Sequence, residues 1–192
     1  MIPLSAQGIS LQLPSGWEGR IGLRTVAGPV VTARSGAVAP APAASVLGDA
    51  APAVPADAPT AHAAGEDDGG GGRLFPVTHA GNFALPPDRG DFGSGAVDVM
   101  GESGVLMALV EYGDECVGSA LFDHPRPVPR VAEFAPDTLQ RRISGQLGYQ
   151  RFFTEAGRAF CLYVVVGSIR FAPTLLTSTR TVLSHTIIGP RR

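Results

Sequence analysis

Three acids, Glu111, Asp114 and Glu115, stand together in the stretch EYGDEC, directly before Cys116. Paired carboxylates can divide acid and base roles when a fold makes them converge across a cleft. The same residues also make an ordinary solvated turn at the end of a strand, and that is the first reading of this stretch. If a pocket forms near the 111–124 loop, its polar groups are Glu111, Asp114 and His124. His79, His124 and His185 are far apart in sequence and no HxxxH or HExxH spacing occurs, so no metal site is expected. No residue is assigned a catalytic or cofactor-binding role, and no cofactor is expected.

Other motifs carry equally little chemistry. Arg89-Gly90-Asp91 spells RGD, but it lies in PPDRGDFG, a run of turn-forming residues. There is no GxSxG nucleophile elbow and no GxGxxG after a strand. The run GGGG at 69–72 has no flanking strand, lysine or helix and reads as a tether. The 15 basic residues are all arginine, which excludes Schiff-base and phosphate-loop lysines. Arg126, Arg130, Arg141, Arg142, Arg151 and Arg158 accompany Tyr149, Phe152 and Phe153, a mixture that an RNA-binding sheet would use. Glu133, Asp137 and Glu155 dilute that charge. Adjacent Phe152 and Phe153 place one ring on each face of a strand, so at least one is core. Nucleic acid is not an expected partner.

The chain has 192 residues, 44% hydrophobic and 17% charged, the composition of one globular domain. Net charge is −2, but residues 35–72 hold five acids and no arginine. The remainder has 15 basic and 12 acidic residues, or +3. Cys116 and Cys161 form no disulfide framework. The N-terminus lacks the basic and long apolar regions of a signal peptide. No apolar run reaches the ~18 residues of a membrane helix. The expected location is cytoplasmic, with no membrane partner.

These side chains need elements to hold them. GISLQL (8–13) alternates, with Ile9, Leu11 and Leu13 on one side, and EGRIGLRT (18–25) alternates with Ile21 and Leu23 inward and Arg20, Gly22 and Arg24 outward. They read as a hairpin, with Trp17 an apolar plug at the turn, so residues 1–34 form the N-terminal hairpin of a single domain. Residues 35–73 are alanine, proline and glycine with scattered acids and read as a disordered insert. They offer too little apolar surface to offset an ordering cost of roughly 1–2 kcal/mol per residue. The domain resumes over 74–192. LFPVTHAGNFAL (74–85) has strand character broken at Gly81, and one helical turn is expected within 94–100 and another at 117–122. Leu139–Ile143 reads as a short edge strand. Gly148–Glu155 and Arg158–Gly167 form a hairpin through Ala156-Gly157. Ala172–Ile188 reads as a helix with Leu175, Leu176, Val182, Leu183 and Ile187 on one face, stopped at Gly189-Pro190.

GVLMALVEY (104–112) and RAFCLYVVVG (158–167) are apolar on both sides, the pattern of strands covered on both faces. They belong mid-sheet, with GISLQL and GRIGLR nearer an edge. The fold class is therefore α+β: a mostly antiparallel sheet with a C-terminal helix on one face. The second face must be covered by irregular segments, giving a three-layer sandwich, or by another molecule. In the second case Tyr163, Val165, Leu106 and Val110 form an interaction face for a protein partner or a second copy. Each such side chain is worth about 1.5–3 kcal/mol when buried.

The opening ISLQLPSGW, the hairpin ending FCLYVVVGS and the closing VLSHTII together resemble the PsbP-like fold, an α/β/α sandwich of small lipoproteins and adaptor proteins. The chain is also similar to actinobacterial proteins of comparable length. The family's lipobox has no counterpart here, and the helix expected after the first hairpin is replaced by the 35–73 insert. The function expected is a non-enzymatic protein-interaction or assembly module. The alternative is a small ligand-binding protein or enzyme with a pocket near the 111–124 loop.

Overall fold

In the computed structural model, described over residues 1–26 and 72–191, both doubly apolar segments lie inside a five-stranded antiparallel sheet. Its strands are β3 (Glu18–Val26), β4 (Arg73–Gly81), β5 (Val105–Glu111), β6 (Leu147–Glu155) and β7 (Arg158–Val166), in the order β3-β4-β5-β7-β6. Every residue of β5 and β7 is buried. A second, three-stranded sheet joins β1 (Ile2–Ala6), β2 (Ile9–Leu13) and β8 (Ile187–Ile188), with β2 in the middle. Together with the short α1 (Ser94–Val99) and the C-terminal α2 (Ala172–Ser184), the chain is an α+β fold.

Alternation along β5 and β7 sends side chains into two separate cores. Val105, Met107 and Leu109 of β5, with Phe160, Leu162, Val164 and Val166 of β7, pack against Ile9, Leu11 and Leu13 of β2 and Leu175, Leu176, Val182 and Leu183 of α2. Trp17 joins this core. Leu106, Ala108 and Val110 of β5 and Cys161, Tyr163 and Val165 of β7 point the other way. There they meet Leu85, Ala96, Val97 and Met100 from the 82–100 segment, and Leu139. The second face is therefore covered by this chain's own irregular segments and one short helix. Tyr163, Val165, Leu106 and Val110, expected as an interaction face, are buried beneath that layer and are not a surface of the protein.

Several local expectations are corrected. β2 and β3 are not a hairpin: β2 pairs with β1 and β8, whereas β3 pairs with β4, so the turn at Pro14–Gly16 carries the chain from one sheet to the other. β2's partners are formed at both chain ends, which local alternation does not reveal. Leu23 is 49% exposed because β3 is the sheet's edge and the cover of α2 does not extend to it. The helix ends at Ser184: the Thr186 hydroxyl donates to the Val182 carbonyl, and Ile188 pairs with Ile9. Ile187 faces solvent as a result. Residues 139–143 form no strand; beside β6 the chain makes only a bridge, Ala135 to Gly148. The helical turn expected at 117–122 is displaced to a 3-10 turn at Asp114–Cys116. Of the insert, residues 35–71 lie outside the described residues, and Arg73 already belongs to β4.

The β6–β7 hairpin is as expected, with Glu155 opposite Arg158 and positive φ at Ala156 (51°) and Gly157 (70°), the backbone that two-residue hairpin turns require. A second two-residue turn, Gln7-Gly8, closes β1–β2. Gly8 there combines φ of 74° with a close approach: a Cβ would lie 2.3 Å from the Pro190 carbonyl oxygen. The C-terminal tail can pack onto the β1–β2 turn only over a glycine.

Candidate functional site

Glu111 and Asp114 do converge, but onto arginines and not onto an open pocket. Glu111 ends β5 and its side chain is fully buried. Arg158, at the start of β7 and 4% exposed, holds both carboxylate oxygens, with Nε donating to Oε1 at 3.0 Å and Nη2 to Oε2. Its Nη1 donates to the Gly189 carbonyl at 2.8 Å. Arg191 reaches in from the tail, donating to Glu111 Oε1 from Nε at 2.9 Å and to Asp114 Oδ1 from Nη2 at 2.9 Å. Hydrogen bonds from Arg73 first, and from Arg191 second, hold the Asp114 carboxyl below its ordinary value. This is a structural clasp: the carboxylates are saturated by charge-assisted donors that fasten the tail to the sheet. His124 takes no part. Its side chain is exposed and its backbone carbonyl accepts from the Thr154 N–H at 3.0 Å.

The aromatic residues of the RNA-binding reading and part of its arginines are consumed by the fold, whereas Arg130, Arg141 and Arg142 stay exposed. Tyr149 stacks on Phe134, and Phe153 on Phe160, all four buried. Phe152 sits in an aromatic cluster with Tyr112 and Phe122. Arg126 pairs with Glu155 and Arg151 with Glu133. At the end of α2, Ser184 and His185 lie 3.2 Å apart, but each is also bonded to the Thr181 carbonyl, an arrangement that finishes the helix.

A different place has the shape of a site. The 86–91 segment, which contains the RGD triplet, folds back beside β3 and β4 and borders an open cleft of about 200 Å³. Its floor is Gly22, Arg24, Val77 and His79, and its wall is Pro87–Asp91. The β3–β4 register puts Arg20 opposite His79, Gly22 opposite Val77 and Arg24 opposite Phe75, so Arg20, Gly22 and Arg24 share the cleft's face. Among the described residues nothing lies within 4 Å of a Cβ built on Gly22.

His79 organises the wall. It is buried, and its Nε2 lies 2.9 Å from the Asp91 carbonyl, which can only accept. Nε2 therefore carries the proton, and Nδ1 is left to accept from Arg89 Nε at 3.4 Å. Burial, the largest cause, pushes His79 down to about 4, and Arg89 pushes in the same direction. At neutral pH the ring is uncharged and engaged at both nitrogens, so it orients the loop and is not a free base. Arg89 Nη1 donates to the carbonyls of Pro86 (2.6 Å) and Pro87 (3.2 Å). Arg24 donates to the Glu111 carbonyl at 2.8 Å and lies 3.4 Å from Asp91 Oδ2, while its buried Nε has no acceptor among the described residues. Burial and the neighbouring Arg20 both lower Arg89.

Among the described residues eight arginines make ion pairs within 4 Å: Arg24, Arg73, Arg126, Arg141, Arg142, Arg151, Arg158 and Arg191. Arg20, Arg89, Arg130, Arg170 and Arg180 do not, and of these Arg20 and Arg89 stand at the cleft. What the cleft offers is donors and positive charge at fixed positions, suited to binding. The sequence carried one signal for it, the Arg-Gly-Arg alternation on one side of β3, but nothing local placed the RGD turn above it. Among the described residues no helix is long and apolar enough to cross a membrane, and both cysteines carry free thiols. Comparison with family models, with curated proteins and with solved structures finds no match.

Proposed function

We propose that this chain is a non-enzymatic binding module whose cleft under the 86–91 loop takes a small polar ligand. The supporting observation is the fixed wall: His79 is bonded on both ring nitrogens to Asp91 and Arg89. The cleft is thus pre-formed, and a ligand entering it meets donors already in place. The test is a thermal-shift screen of the intact chain against small anions, neutral sugars and amines, repeated with Gly22→Leu. A Cβ at position 22 meets no atom of the described residues within 4 Å, so a leucine there starts into the cleft. A ligand-dependent shift in the wild type that disappears in Gly22→Leu supports the reading. Shifts identical in both proteins overturn it.

An assembly role has one observation in its favour. Leu23 (49% exposed) and Leu74 (56% exposed) are diagonal neighbours on one face of the β3–β4 ladder, at the sheet's open edge. That reading requires concentration-dependent association in sedimentation, abolished by Leu23→Asp. A cytoplasmic location and kinship with PsbP-like proteins belong to the same proposal; they rest on the two free thiols and on the opening and closing sequence motifs.

A further inference from the structure

Resting on the cleft-binding reading, we infer that the ligand is a small phosphorylated molecule, its phosphate bridging Arg20 and Arg89. The argument is one of unmatched charge. Arg20, Arg24 and Arg89 stand on or beside the cleft against two carboxylates, Asp88 and Asp91. Asp91 is drawn toward Arg24. Arg20 and Arg89 have no carboxylate within 4 Å among the described residues, and both are placed at His79: Arg20 is its register partner on β3, and Arg89 Nε lies 3.4 Å from its Nδ1. Two guanidiniums held near one another cost energy unless an anion is shared between them.

Arg89 is built for that task. Nη1 is fixed by the Pro86 and Pro87 carbonyls and Nε by His79, which leaves Nη2 as its uncommitted donor group. A guanidinium oriented from behind in this way loses little freedom when it grips an oxyanion. Arg20 opposes it from an edge strand, so the two donors come from different elements. A dianionic phosphate monoester matches two cations better than a single carboxylate does, and about 200 Å³ leaves room for a small organic group beside the phosphate. In this assignment His79 is a positioning residue that acts through Arg89.

The experiment is calorimetric titration of the full chain with glucose 6-phosphate, inorganic phosphate and glucose at constant ionic strength. The proteins compared are wild type, Arg20→Gln, Arg89→Gln, Gly22→Leu and Arg170→Gln. Circular dichroism confirms that each is folded, and Arg20→Gln, on an exposed position, serves if Arg89→Gln disturbs its loop. The expected result is saturable binding of glucose 6-phosphate and none of glucose. Affinity should fall at least tenfold in Arg20→Gln and Arg89→Gln, disappear in Gly22→Leu and be unchanged in Arg170→Gln. Phosphate binding weakened equally by Arg170→Gln overturns the inference, because it would be diffuse charge attraction. Glucose binding that is lost in Gly22→Leu but untouched by the arginine substitutions overturns the phosphate assignment and leaves the cleft reading standing. No heat from phosphates, together with a screen in which Gly22→Leu changes nothing, overturns both.

Discussion

Replacing Glu111 by glutamine should be among the most damaging single changes available in this domain. The substitution keeps shape and volume but removes the charge that balances Arg158, a guanidinium 4% exposed and unable to reach water without opening the sheet. Breaking a buried ion pair by removing one partner costs about 3–5 kcal/mol, because the other charge stays behind uncompensated. Against a typical total of about 5–15 kcal/mol, that is a large fraction of the stability. The tail loses its anchor as well, although Arg191 is 32% exposed and keeps Asp114 as a partner. With a urea slope of about 1–3 kcal/mol/M, the unfolding midpoint should move down by roughly 1–5 M at constant slope. Equilibrium urea unfolding followed by tryptophan fluorescence reads this directly, since Trp17 lies in the core next to β2. The paired substitution Glu111→Leu with Arg158→Met removes both charges and should recover most of the loss. A Glu111→Gln midpoint within about 0.3 M of wild type, or a double variant no better than the single one, would refute the claim that burial makes this pair costly to break.

Two further predictions follow from the titrating groups. The unfolded His79 takes up its proton near 6.5, whereas the native ring, pushed down by burial, does so only near about 4. Between those values the unfolded state holds more protons, so stability falls as pH falls through the window, by about 2 kcal/mol between pH 7 and pH 5. The charged groups that face the ring are Arg20 and Arg24 from β3 and Arg89 and Asp91 from the loop. His79→Gln should flatten this part of the stability profile, and an unchanged slope would remove His79 as its cause. Burial also pushes the Cys161 thiol up to about 12, and the side chain lies inside the second core. A disulfide reagent at pH 8 should therefore modify the partly exposed Cys116 in the native protein and reach Cys161 only in denaturant; two thiols reacting at one rate without denaturant would contradict this packing.

The strongest features of the fold were local in sequence. GVLMALVEY and RAFCLYVVVG have no polar side, and that alone fixed them as strands covered front and back, which they are. The α+β class, the Ala156-Gly157 hairpin and the helix from Ala172 followed from periodicity and turn chemistry, which act over a few residues. What covers the second face was open. Residues 82–100 have no regular pattern, and only the sheet's shape makes Phe83, Leu85, Val97 and Met100 fit it. The partners of β2 were misjudged for two reasons: β1 adjoins it through the Gln7-Gly8 turn but residues 2–6 were not read as a strand, and β8 comes from the far end of the chain, where pairing leaves no local trace.

The chemistry divides along the same line. Sequence named Glu111 and Asp114, but only the closing of β5 against β7 and the tail turned Glu111 into the buried centre of a clasp. Sequence recognised Arg89-Gly90-Asp91 as a turn. The tertiary structure alone laid that turn over Arg20, Gly22 and Arg24, because alternation tells which side of a strand a residue takes and not which distant loop will lie above it.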